Sequence, residues 1–216
     1  MEISNSVALV IGSSRGIGKA VAKKLCEKGA IIYLNSYKSK ESGEELEEEL
    51  KSQGYEVKYL NGDISSEEDV KRMFEIIKNE QGKLDILINS AGIYLKSDFS
   101  NSSNYEDYNN FHKVNGWGVY LCTMCAEKLM RCNGKIVNIS SIYGINPNPD
   151  SILASGVKFE VESYTKAFAK KFKGRIEVNS IAPGYTNTNL VKSNFSEKEI
   201  KELLEKTSHK RLVEPE

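Results

Sequence analysis

The chain has 216 residues, 39% of them hydrophobic and 28% charged, which suits one α/β domain with a sizeable core. Thirty basic and thirty acidic residues give a formal net charge of zero, which argues against a whole-chain field that recruits nucleic acid or an anionic membrane. No apolar run approaches the roughly 20 residues of a membrane helix, and the four cysteines do not suggest a disulfide framework.

Val7–Ile11 is apolar and mostly β-branched, as in a strand buried on both faces. Gly12 breaks the run, and Gly16 and Gly18 recur as a helical pattern begins at Ile17. Glycine suits such a turn because it tolerates positive φ and lets a pyrophosphate approach the backbone. The following helix start offers free N–H groups and the positive end of its dipole to phosphate. Residues 17–28 place Ile17, Val21 and Leu25 on one helical face, and Gly29 ends that helix. A second strand over 30–34 precedes an acidic helix at 41–53, whose charge run reads as a solvated face with Leu46 and Leu50 inward. A third strand covers 56–60, and Asp63, Ser65 and Ser66 lead into a helix ending at Lys78. Strand four is 84–88, a long helix with Gly116 and Gly118 spans 105–131, and strand five is 135–139. Another long helix covers 153–172, strand six covers 175–181, and Ser196 with Glu199 forms a capping box for a short last helix. Crossovers of roughly 10 or more residues imply a parallel sheet covered on both faces. The expected architecture is a single-domain, doubly wound Rossmann-type sheet of six strands over residues 1–216. Because Met1 runs almost directly into the first strand, no signal peptide is expected and the cytoplasm is the expected location.

Ligands of such a sheet sit beyond the carboxyl ends of its strands. After strand one, the candidate cofactor contacts are Gly12, Ser14, Arg15, Gly16, Ile17 and Gly18. After strand two come Asn35, Ser36, Tyr37 and Lys38. An acid there would bond a ribose 2′-hydroxyl and repel a 2′-phosphate; none is present, whereas Arg15 and Lys38 offer cations. NADP(H) is therefore expected over NAD(H), the alternative being that both cations are ordinary surface charges. Asp63 and Ile64 follow strand three, where the carboxylate can accept from an adenine amino group or serve a helix cap. Asn89, Ser90, Ala91 and Gly92 follow strand four and are small enough for a cofactor to lie close.

Together, Gly12-x-x-x-Gly16-x-Gly18, Asp63, Asn89-x-Ala91-Gly92 and Asn179-Ser180-Ile181-Ala182-Pro183-Gly184 resemble the short-chain dehydrogenase/reductase family, with 3-oxoacyl-acyl-carrier-protein reductases the nearest subgroup. The resemblance runs from Val7 to about Thr188. It implies a nicotinamide cofactor, a small-molecule carbonyl/alcohol substrate, a homo-oligomer (dimer or tetramer), and a Ser–Tyr–Lys set aided by an Asn. On that basis Asn115 matches the Asn that helps hold a proton-relay water, and Ser141 matches the Ser that bonds the substrate oxygen. Lys158 matches the Lys that grips the nicotinamide ribose and lowers the tyrosine pKa. Pro183 and Gly184 would line the nicotinamide, with Thr186 and Thr188 near its carboxamide and a substrate lid at about 188–207.

One member of the set is missing. Four residues before Lys158, and thirteen beyond Ser141, the family tyrosine position holds Ala154. A phenol has a pKa near 10, and a cationic lysine beside it brings proton transfer toward neutral pH; alanine offers neither donor nor acceptor. Two readings follow: an NADP(H)-dependent reductase impaired by Ala154, or a catalytically silent nucleotide-binding or interaction protein on the same scaffold. Tyr94 and Tyr143 are candidate substitute acids, with aromatic pocket wall the preferred reading of both. Ile11 stands where the family has a Thr that braces the glycine turn, and Ser90 stands where a second Asn is frequent. Beyond Arg211 the resemblance implies a further helix and a seventh strand, which this sequence does not contain.

Cys122-x-x-Cys125 falls mid-helix with no second pair and only His112 and His209 elsewhere, so buried small side chains are expected and no metal site. Lys166, Lys170, Lys171, Lys173 and Arg175 form a basic patch, but Phe168 and Phe172 between them keep helical core spacing, which argues against nucleic-acid binding.

Overall fold

Val7–Ile11 forms β1, with all five side chains buried. It is the centre of a computed structural model that describes residues 2–94, 105–205, 207 and 210–216. The other strands are β2 (Ile31–Ser36), β3 (Val57–Asn61), β4 (Ile86–Asn89), β5 (Gly134–Ile139) and β6 (Ile176–Ile181). They make one parallel sheet in the order β3-β2-β1-β4-β5-β6. The winding direction reverses between β1 and β4, which opens a crevice at their carboxyl ends. The register aligns those ends: Ile11 faces Asn35 on one side and Asn89 on the other, and Asn89 faces Asn138.

Helices α1 (Gly16–Glu27), α2 (Lys40–Ser52) and α3 (Glu67–Gln81) connect the first four strands. Ser66 caps α3, accepting from the Asp69 N–H, and Gly82 ends it in the left-handed region at φ 66°. Alternate residues of β1 serve opposite layers. Ala8 and Val10 pack with Ala22, Cys26, Leu46 and Leu50 of α1 and α2. Leu9 and Ile11 pack with Met73, Phe74, Cys122 and Phe168 on the other face. The expected buried role of Phe168 and Phe172 holds, their rings stacked at 5.4 Å. Arg175 lies over Phe172 and pairs with Glu127, so this basic residue serves as a latch between helices.

The single helix expected over 105–131 is three pieces: α4 (Tyr105–His112), a π-helical turn (Lys113–Trp117) and α5 (Gly118–Leu129). The π turn inserts one extra residue into the ladder, an event that periodicity does not reveal. α6 (Ile152–Lys171) follows β5 through two 3₁₀ turns, Ile142–Gly144 and Pro149–Ser151. Beyond β6, α7 (Asn189–Asn194) was not anticipated, whereas the capping box of α8 (Glu197–Glu205) is present. Ser196 Oγ accepts from the Glu199 N–H at 3.3 Å and Glu199 Oε2 accepts from the Ser196 N–H at 2.8 Å. Among the described residues, Thr186 and Val213 form an isolated parallel bridge outside the sheet. No helix among them is long and apolar enough to cross a membrane.

A buried amide chain ties the crevice to α5 and α6. Asn89 Nδ2 donates to Asn138 Oδ1 at 2.8 Å and reaches Thr123 Oγ1 of α5 at 3.3 Å. Asn138 Nδ2 donates to Thr165 Oγ1 of α6 at 2.9 Å. Truncating Asn138 to alanine strands these partners away from water, so Asn138→Ala is expected to cost about 1–3 kcal/mol. Thermal melts check this, at roughly 2–4 °C per kcal/mol for a chain of this size.

Candidate functional site

The chain folds back at Gly12, whose φ is 74°, so that the glycine turn lies against the segment after β4. An added Cβ at Gly12 would lie 2.5 Å from the Ala91 N and Cα atoms, and one at Gly18 would lie 2.2 Å from the Gly12 carbonyl oxygen. The two glycines bring β1, the start of α1 and the Ala91 segment closer than any side chain permits. Ser13 braces the turn: its N–H donates to the Asn35 carbonyl at 2.9 Å, and its Oγ accepts from the Asn35 N–H at 2.9 Å. Ser13 thus supplies a bracing hydroxyl to the turn, a role not assigned to it from the sequence.

A cavity of about 380 Å³ opens at the crevice and runs from the end of β2 to α7. The expected residues Gly12, Ser14, Arg15, Gly16, Ile17, Asn35, Lys38, Asp63, Ile64, Ala91 and Gly92 line it. So do Asn115, Ser141, Ala154, Lys158, Pro183, Gly184, Thr186 and Thr188. Gly18 and Asn89 do not: Gly18 lies beneath the turn, and the Asn89 amide points into the sheet interior. Asn35 borders the cavity, yet its amide donates to the Leu60 and Gly62 carbonyls at 3.1 and 3.0 Å, which turns that group away from any ligand. Asp63 holds its own loop, with Oδ1 accepting from the N–H and hydroxyl of Ser65 at 2.9 and 2.8 Å.

At the other end, Asn115 sits in the π turn and is 1% exposed. Its Nδ2 donates to the Phe111 carbonyl at 2.9 Å and its Oδ1 accepts from the Ile93 N–H at 3.1 Å. A Cβ on Gly92 would lie 2.8 Å from that Oδ1, so the small residue there makes room for the amide. Ser141 ends the extended stretch after β5 and accepts from the Tyr143 N–H at 3.2 Å, leaving its hydroxyl proton for the cavity. The 3₁₀ turn that carries it packs directly on α6, since a Cβ on Gly144 would lie 2.7 Å from the Lys158 carbonyl oxygen.

Lys158 donates from Nζ to the Ile139 carbonyl at 2.9 Å, and burial lowers its pKa from the ordinary lysine range to about 8. Ala154, one turn earlier on α6, packs with Phe111, Val157, Tyr143 and Leu153. Tyr94 packs against Phe195 at 5.3 Å between ring centroids, as an aromatic wall does. The Tyr143 hydroxyl meets that of Tyr185 at 2.8 Å, and burial together with this bond drives the Tyr185 phenol above its usual range. Tyr185 also lines the cavity without having been singled out in the sequence, and Asn189 and Leu190 line it from α7, within the expected lid. Within the expected lid, α7, α8 and Phe195 are described, while Lys206 and the distant His209 lie outside the described residues. Cys122 is fully buried, and burial pushes its thiol far up; the half-buried Cys125 shifts the same way.

The family model for short chain dehydrogenase matches residues 6–199. A 3-oxoacyl-[acyl-carrier-protein] reductase from Synechocystis sp. is 31% identical over 194 residues, covering 88% of this chain and 78% of that protein. One from Staphylococcus aureus is 33% identical over 181 residues, covering 82% and 73%. A dehydrogenase/reductase from Sinorhizobium meliloti superposes with a TM-score of 0.91 at 28% identity, over 99% of this chain and 85% of its own. A short chain dehydrogenase from Burkholderia cenocepacia, solved in complex with NADP, superposes with a TM-score of 0.92 at 23% identity, over 100% and 87%.

Proposed function

The chain belongs to the short-chain dehydrogenase family, and from that premise we propose that it binds NADP(H) in the cavity between β1 and β4 and interconverts a small carbonyl compound and its alcohol. A single observation carries the reading: one cavity gathers the glycine turn, two cations at its adenosine end, and Ser141, Lys158 and Asn115 at its far end. Arg15 and Lys38 would hold the 2′-phosphate, the turn and the start of α1 the pyrophosphate, and Pro183, Gly184, Thr186 and Thr188 the nicotinamide. When bound, the dinucleotide supplies or accepts the hydride. Ser141 offers its hydroxyl to the substrate oxygen, Lys158 reaches the ribose, and Asn115 holds a relay water beside Ile93. Ala154 removes the phenol that this arrangement otherwise uses as its acid, so we read turnover as impaired.

The identities with 3-oxoacyl reductases support an acyl-chain ketone as the substrate class. A homodimer or tetramer is supported by the exposed aromatic residues Tyr105, Trp117 and Phe159 on α4, the π turn and α6. We further propose one domain over 1–216, a substrate lid at 188–207 and a cytoplasmic location. The second reading, a nucleotide-binding protein without turnover, is favoured by one residue, Ala154. Arg15→Ala and Lys38→Ala are each expected to weaken NADPH binding about tenfold and leave NADH binding unchanged, because only the 2′-phosphate distinguishes the two ligands. Parallel fluorescence titrations check this. Equal losses for both ligands would remove the 2′-phosphate assignment.

A further inference from the structure

Lys158 is a lysine without an anionic partner. Its Nζ makes one hydrogen bond, to the Ile139 carbonyl, and no carboxylate or phenol pairs with it among the described residues. A protonated ammonium in that position would leave two N–H donors without a partner among the described residues, whereas a neutral amine leaves one and keeps its lone pair. The cavity side of the amine is open. Ala154, one turn earlier on the same helix, presents only a methyl group to the same cavity and packs with Phe111 and Tyr143. Ser141 lines the same end, with its Oγ accepting from the Tyr143 N–H so that its own proton is available to an incoming oxygen. A desolvated lysine facing an apolar cavity is the setting in which amines act as nucleophiles.

We infer that Lys158 forms Schiff bases with small aldehydes or ketones that enter this cavity, an activity separate from hydride transfer. The amine lone pair attacks the carbonyl carbon, and the C=O π pair moves to oxygen, which takes a proton from Ser141. The nitrogen proton lost on attack returns to the serine oxygen. The carbinolamine hydroxyl then takes the Ser141 proton and leaves as water while the nitrogen lone pair forms the C=N bond, and the iminium N–H returns its proton to the serine oxygen. One water is released per imine, and no oxidant or reductant takes part. Burial supports the population of reactive amine: with a pKa of about 8, roughly a tenth of Lys158 is neutral at pH 7. For an ordinary exposed lysine that share is under about a thousandth.

The test treats the full chain at pH 7 with butyraldehyde and cyanoborohydride for short times and maps alkylation at every lysine by peptide mass spectrometry. Lys158 is expected to react at least about tenfold faster than the surface lysines. Ala154→Tyr, which places a phenol between the amine and the cavity, is expected to lower that rate about tenfold without changing labelling elsewhere. Labelling of Lys158 in the unmodified chain no faster than that of the surface lysines, or labelling that Ala154→Tyr leaves unchanged, overturns the inference. A parallel reaction with NADP⁺ separates this inference from the dinucleotide reading: fast labelling that NADP⁺ fails to block upholds the amine chemistry and counts against a shared cavity.

Discussion

Replacing Ala154 with tyrosine is expected to raise NADPH-dependent carbonyl reduction by about 10²–10⁴-fold, the usual contribution of a positioned general acid. Position 154 borders the cavity one helical turn before Lys158, so a phenol there stands beside the amine in the cavity that Ser141 also lines. A lysine with a pKa of about 8 is mostly protonated at pH 7, and its charge lowers the pKa of an adjacent phenol. Ala154 packs with Phe111 and Tyr143 but also lines the cavity of about 380 Å³, into which the larger side chain would extend. Initial rates with a panel of ketones and 3-oxoacyl thioesters check the gain. Ala154→Phe fills the same volume without a hydroxyl and is expected to remain at the level of the unmodified chain. An unmodified chain as fast as the tyrosine variant would show that another group, with Tyr143 first in line, already donates the proton. Inert proteins that still bind NADPH would favour a binding role.

The second large effect is expected at the glycine turn. Gly18→Ala puts a Cβ 2.2 Å from the Gly12 carbonyl oxygen and 2.9 Å from its carbon, a clash with backbone that no rotamer relieves. The helix start must then move away from β1, carrying the N–H groups of Arg15, Gly16 and Ile17 out of line with the crevice. A loss of about 3 kcal/mol in stability is expected, at the upper end of overpacking costs. NADPH affinity should fall at least about tenfold. Denaturant unfolding and dinucleotide titration of the same variant check the two effects, and a variant that is destabilised but binds normally would separate the turn from the ligand.

Much of this architecture was legible because buried parallel strands read as apolar runs. Val7–Ile11 is buried at every position, so its boundaries came through unchanged. Helices α1 and α2 were placed within a residue or so by their inward faces, with Gly29 marking the end of α1. Features that depend on tertiary pairing were not legible. The π turn at Lys113–Trp117 keeps the same apolar residues as a continuous helix, and only the ladder changes. β2 runs on to Ser36 because it pairs with β3, which draws Asn35 into the sheet and uses up its amide. The candidate site followed the same division. Residues just beyond the strand ends fell around the cavity, since topology alone takes them there, whereas Asn89 at the end of β4 turns into the sheet. The bracing by Ser13 and the meeting of Tyr143 with Tyr185 join segments 22 and 42 residues apart, so no local pattern announces either.

The central claim is that this cavity holds a phosphorylated nicotinamide dinucleotide. The most direct measurement is a fluorescence titration of the unmodified chain with NADPH, run beside NADH and repeated on Gly18→Ala. Saturable binding with one site per chain, about tenfold tighter for NADPH and lost in the glycine variant, is the predicted result. Absence of saturable binding by either dinucleotide at millimolar concentration, from a chain shown to be folded, would contradict it.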